Sequence, residues 1–103
     1  MKTDRELLEL AAKAAHGNFG KQMLDSGWSP LTDDGDALRL AVKLRLRVCT
    51  PRATPCAIAS NGDVVGYSED ELGDQLIITD PYIATRRAIV RAAAALALLA
   101  GVV

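Results

Sequence analysis

Trp28-Ser-Pro-Leu-Thr-Asp-Asp-Gly-Asp-Ala-Leu-Arg-Leu-Ala-Val-Lys-Leu44 carries more structural instruction than any other stretch of the chain: an aromatic anchor, a rigid turn, three carboxylates and a largely apolar run. Pro30 fixes its own φ and drives Ser29 towards extended backbone, so the chain is not helical there. Thr32, Asp33 and Asp34 are good N-cap types, and carboxylates at a helix start meet the positive end of its dipole. A helix is therefore predicted from about Asp33. Along it Ala37, Leu38, Leu40, Ala41, Val42 and Leu44 are apolar, and Asp36, Arg39 and Lys43 form a narrow polar strip. That pattern predicts a mostly buried helix.

Working outward, Thr3 and Glu6 form a capping box that starts a first helix at Asp4. Leu7, Leu8, Leu10, Ala11, Ala14 and Ala15 supply its apolar face, and Gly17 is placed to end it. From His16 to Gly27 the sequence predicts a loop with a short helical turn at Lys21 to Asp25. Beyond the central helix, Leu44 to Cys49 alternates apolar and basic residues, the period of a strand with one wet face. Arg45 and Arg47 on that face place the strand at a sheet edge, where a helix fails to cover it, or under a subunit interface. Pro51 and Pro55 then bracket a loop.

Cys56 to Ser60, Asn61-Gly62 and Asp63 to Tyr67 predict a two-residue hairpin with a type I′ turn. Ser60 would face Asp63 and Ile58 would face Val65. One face collects Cys56, Ile58, Val65 and Tyr67, and the other Ala57, Ala59, Val64 and Gly66. Both faces are apolar, which predicts cover on both sides, with the small-residue face open to close approach by a helix. Ser68 to Asp74 is acidic and reads as a solvated loop without calcium-site spacing. Gln75 to Thr79 reads as a last short strand. Asp80-Pro81 is an N-cap and N1 pair opening a helix that runs to Ala100. Tyr82, Ile83, Arg86, Ile89, Val90, Ala93, Leu96 and Ala97 share its inner side, with Arg87 and Arg91 beside them.

The central run, the Asp4 to Ala14 pattern Asp-x-x-Leu-Leu-x-Leu-Ala-Ala-x-Ala and the Arg86 to Ala93 pattern Arg-Arg-Ala-Ile-Val-Arg-Ala-Ala together resemble the phage ABA sandwich domain, over nearly the whole chain. The resemblance implies an αβα fold and a phage or prophage origin, and it brings no established activity. From the residues themselves the expectation is a single α+β domain over residues 1–103, of order α-α-β-β-β-β-α, with a mainly antiparallel sheet of three or four strands inside a sandwich.

Composition narrows the function. Half of the 103 residues are apolar and the formal net charge is −1, so a dedicated nucleic-acid binder, which needs a surplus of Lys and Arg on one face, is disfavoured. The helix-strands-helix order from Asp33 onward matches the double-stranded RNA-binding domain, but its lysine cluster is missing. Cys49 and Cys56 with the single His16 cannot assemble a zinc site; the cysteines read as small core residues of a reducing cytosol, with a disulfide between neighbouring strands as the alternative. No signal-peptide pattern opens the chain, and the apolar tail from Ala92 is shorter than the roughly 20 residues that span a bilayer. A cytoplasmic protein is expected, with no metal and no cofactor.

Catalysis lacks its parts: His16 has no evident partner, and adjacent carboxylates such as Asp33 and Asp34 usually cap helices. Two readings of the arginines stay open. Arg86 could clamp to a carboxylate among Asp33, Asp34 and Asp36, since an unpaired buried guanidinium is costly. Alternatively Arg86, Arg87 and Arg91 line a pocket for a small anion such as a host-defence nucleotide, with Trp28 or Tyr82 stacking on a ring. The leading expectation is thus a non-enzymatic accessory protein that sequesters such a ligand. The competing one is a protein–protein module, in virion assembly or as an inhibitor of a host protein, using the apolar tail Leu96 to Val103 and prone to homo-oligomerise.

Overall fold

In the computed structural model, which describes residues 3–49, 58–67 and 80–100, the chain runs α1 (Asp4–His16), a 3-10 turn (Gly17–Phe19), α2 (Gly20–Asp25), α3 (Asp34–Lys43), β1 (Arg47–Cys49), β2 (Ile58–Ser60), β3 (Val65–Tyr67) and α4 (Pro81–Leu99). It is an α+β fold with an antiparallel sheet of order β1-β2-β3. The caps fall where local chemistry puts them. Thr3 Oγ1 accepts from the Glu6 N–H, Asp33 Oδ1 from Gly35 and Asp80 Oδ1 from Tyr82, each meeting a donor that the first helical turn leaves unpaired. The expected strand at Gln75 to Thr79, the Pro51 to Pro55 loop, Cys56, the acidic stretch Ser68 to Asp74 and the end of the tail from Gly101 lie outside the described residues.

Among the described residues the layer covered on both sides is α4. It packs on β2 and β3 with one side and on α1 and α3 with the other, while α1 and α3 make no comparable contact with the strands. Ala88, Ile89, Val90, Ala92, Ala93 and Ala94 are all buried, a run that goes right round the helix. Its alanines are what allow neighbours on every side. Opposite them, Ala59 and Gly66 pair across β2 and β3 and form the small-residue face that the sequence predicts. A Cβ on Gly66 would lie 2.3 Å from the Ala88 carbonyl oxygen and the Ala92 nitrogen, so the strand presses directly on the helix backbone.

The hairpin turn differs from expectation. The partners are Ser60 with Val65, Ala59 with Gly66 and Ile58 with Tyr67, leaving Asn61 to Val64 as the connection. Asn61 does not take the positive φ that a type I′ turn requires at that position. Instead its Oδ1 accepts from the N–H groups of Asp63 and Val64, and Gly62 alone turns over at φ 92°. The register moves by two residues, which preserves the division between faces because strand side chains repeat every two.

Three burial expectations are corrected. α3 is one-sided: Ala37, Leu40 and Ala41 are buried, but Leu38 and Val42 are 64% and 69% exposed, because α4 covers only one flank. Tyr82 and Ile83 are exposed, since the first turn of α4 stands clear of the layers and burial begins at Ala84. On the sheet, the face opposite α4 holds Arg47, Cys49, Ile58 and Val65, of which all but Ile58 are exposed, so no described element gives that face the expected cover and Cys49 is not a core residue.

Candidate anion-binding site

The central run folds back on itself before α3 begins. Pro30 is fully buried, and the Ser29 carbonyl accepts from the N–H groups of Thr32 and Asp33, so the chain turns tightly around the proline. The three carboxylates then take three different tasks. Asp33 caps its own helix. Asp36 accepts from the Ser29 N–H at 3.0 Å and from Arg39 at 2.9 Å. The Ser29 N–H, with Arg39 and Asp33 adding to it against the opposing effect of burial, holds the Asp36 carboxyl below its ordinary range. Asp34 reaches across to α4.

Arg86 is the receiving group. Its side chain is 15% exposed; Nε donates to the Leu31 carbonyl at 2.8 Å and Nη1 to Asp34 at 2.5 Å. One guanidinium thus ties α4 to both ends of the Leu31–Asp34 segment. Arg87 makes a parallel tie to Asp4 at the start of α1, at 3.1 Å. Of the carboxylates offered for a clamp, Asp34 alone takes Arg86, because Asp33 and Asp36 are committed locally.

The other expected ligand residues divide between the core and the surface. Trp28 is 9% exposed, and its ring meets His16 edge to face at 5.3 Å, so it anchors the turn against α1. Burial, and then the charge of Lys43, lower the His16 pKa. Tyr82 is exposed at the free start of α4, and Arg91 is half-buried farther along it. Arg86 and Arg87 are thus engaged in ion pairs and Trp28 is inside the core, which leaves Tyr82 as the exposed ring of that set.

A different cavity carries the free donors. A depression of about 480 Å³ is lined by Arg45, Leu46, Arg47, Ser60, Asn61 and Gly62, where the end of α3 meets the β2–β3 turn. Neither Arg45 nor Arg47 has an ion-pair partner among the described residues. Among the described residues no carboxylate lines the space. Because Asn61 Oδ1 is held by the N–H groups of Asp63 and Val64, the Asn61 amide nitrogen remains as a further donor.

Arg45 stands there at a backbone cost. Helix α3 ends in a Schellman motif: the Leu46 N–H bonds to the Ala41 carbonyl at 2.8 Å and the Arg45 N–H to the Val42 carbonyl at 3.2 Å. The residue between helix and strand must then adopt positive φ, and Arg45 does so at 55°, the only non-glycine among the described residues with that geometry. This motif also explains why the expected strand over Leu44 to Cys49 shortens to Arg47–Cys49: its first residues are used to stop the helix. The signal available beforehand was a helix end with arginine where glycine is the usual choice, but the alternating pattern read it as strand.

No family model matches the chain, and neither a curated protein nor a solved structure matches it. The resemblance to the phage ABA sandwich domain therefore stands on the residues of the central run and its flanking helices.

Proposed function

We propose that this protein is a non-enzymatic accessory protein of phage or prophage origin, acting in the host cytoplasm, which binds a small anionic ligand of the nucleotide type. The observation that carries the reading is the cavity at Arg45 and Arg47: among the described residues its lining holds two arginines without ion-pair partners, an amide donor on Asn61 and no carboxylate. Its volume lies within the few hundred to a thousand Å³ usual for small-ligand sites. The site first expected at Arg86, Arg87, Arg91, Trp28 and Tyr82 gives way to this one, because two of its arginines hold the fold together.

Thermal shift with mononucleotides, cyclic nucleotides, pyrophosphate and inorganic phosphate tests the reading. A ligand at 100 times its dissociation constant adds about 2.7 kcal/mol, which raises the melting temperature of a domain this size by roughly 10 °C or more. No shift with any anion of the panel overturns it.

A second reading, a protein-interaction module, is favoured by Leu38 and Val42 on α3 and by Leu98 and Leu99 at the end of α4, all exposed. Light scattering on the wild type and on Leu38→Glu/Val42→Lys decides it. An oligomer that dissociates in the double variant supports an interface on α3, and a monomeric wild type removes the homo-oligomer form of this reading.

A further inference from the structure

The strained position of Arg45 says more than that an anion fits. A non-glycine residue in the left-handed region is strained by its Cβ, and glycine would end α3 in the same Schellman geometry without that strain. The site also sits at the carbonyl end of α3, where the helix dipole by itself disfavours an anion. Both effects would be removed or avoided by a neutral glycine cap and a ligand elsewhere. What the chain has instead is an arginine among the residues that line the cavity, two positions from a second one on β1.

We infer that Arg45 is a specificity-determining residue, held in a strained backbone to complete a two-arginine fork for the terminal phosphate of a phosphomonoester such as a nucleoside 5′-monophosphate. The inference rests on the reading of the cavity as an anion site. Oxygen counting selects the monoester. Two guanidinium forks and the Asn61 amide can spread over the three free oxygens of a monoester, whereas on a phosphodiester they crowd onto two. Charge selects it as well, since two unpartnered cations match a near-dianion better than the single charge of a diester or a 3′,5′-cyclic phosphate.

The test is isothermal titration of the full chain with adenosine 5′-monophosphate, 3′,5′-cyclic adenosine monophosphate, adenosine and inorganic phosphate, repeated on Arg45→Gly, Arg45→Lys and Arg47→Gln. Binding of the 5′-monophosphate at least tenfold tighter than the cyclic form is expected, with inorganic phosphate competing for the site and adenosine not binding. Arg45→Gly should melt roughly 4 °C or more above wild type, because the strain is gone, yet lose at least tenfold in affinity. Arg45→Lys keeps a charge but not the fork, and should fall between the two. That opposition of stability and binding is what a merely structural Arg45 would not produce. Equal affinity for the cyclic form, or an Arg45→Gly variant that binds as wild type does, overturns the inference while leaving an anion site in place. Absence of binding by every phosphate overturns the inference and the functional reading together.

Discussion

Arg86 on α4 and Asp34 at the start of α3, 52 positions apart in the chain, form an ion pair that also draws in the Leu31 carbonyl. The two ends of this pair are unequally placed: the Arg86 side chain is 15% exposed and that of Asp34 is 67% exposed. Removing one partner should therefore cost much more than removing the other. Arg86→Met leaves the Leu31 carbonyl without its charged donor, and should destabilise by about 2–3 kcal/mol. Asp34→Asn leaves the hydrogen bond to Leu31 in place and should cost less than about 1 kcal/mol, as exposed pairs do. Urea unfolding of both variants checks the order; equal losses would mean that the ion pair, and not the bond to the carbonyl, ties α4 down.

The contact of Gly66 with the α4 backbone makes a sharper prediction. Gly66→Ala puts a methyl group against the Ala88 carbonyl and the Ala92 nitrogen, neither of which can rotate away. The sheet must lift off the helix, at a cost of about 3 kcal/mol or more. Gly62→Ala meets nothing within 4 Å and pays only for its positive φ, about 1–2 kcal/mol. Melting curves should rank Gly66→Ala well below Gly62→Ala, and a reversed order would remove the close sheet–helix approach.

The one histidine touches the one tryptophan, which gives a pH probe inside the fold. Burial lowers the pKa of His16, so the unfolded chain takes up its proton at higher pH than the folded chain does. Stability is then full above the ordinary histidine pKa, near 6.5, and falls as pH drops from there towards the lowered folded value. Trp28 fluorescence should titrate with a midpoint below that of free histidine, and His16→Asn should abolish the titration and flatten stability over the same window. A midpoint at or above the ordinary value would contradict the buried ring contact.

The parts of this fold that are legible in the residues are those decided within a few positions of the chain. Thr3, Asp33 and Asp80 start their helices because a side-chain oxygen satisfies a nearby N–H group. Pro30 and Pro81 act through their own φ, and Ala59 and Gly66 declare a close-packed face by size alone. The partner of Arg86 was narrowed to three aspartates but not chosen, since the choice depended on which of them local hydrogen bonds had already occupied.

Only the tertiary structure decided that α4 is covered on both sides, that Leu38 and Val42 face outward, and that Arg45 is bent into a cavity completed by the β2–β3 turn. Hydrophobic periodicity tells which residues can be buried, not which face finds a neighbour. The arginines divided in the same way. The sequence makes Arg86, Arg87 and Arg91 the candidates for an anion and puts Arg45 and Arg47 on a wet strand face; packing pairs Arg86 and Arg87 with carboxylates on other elements and leaves Arg45 and Arg47 lining an open space.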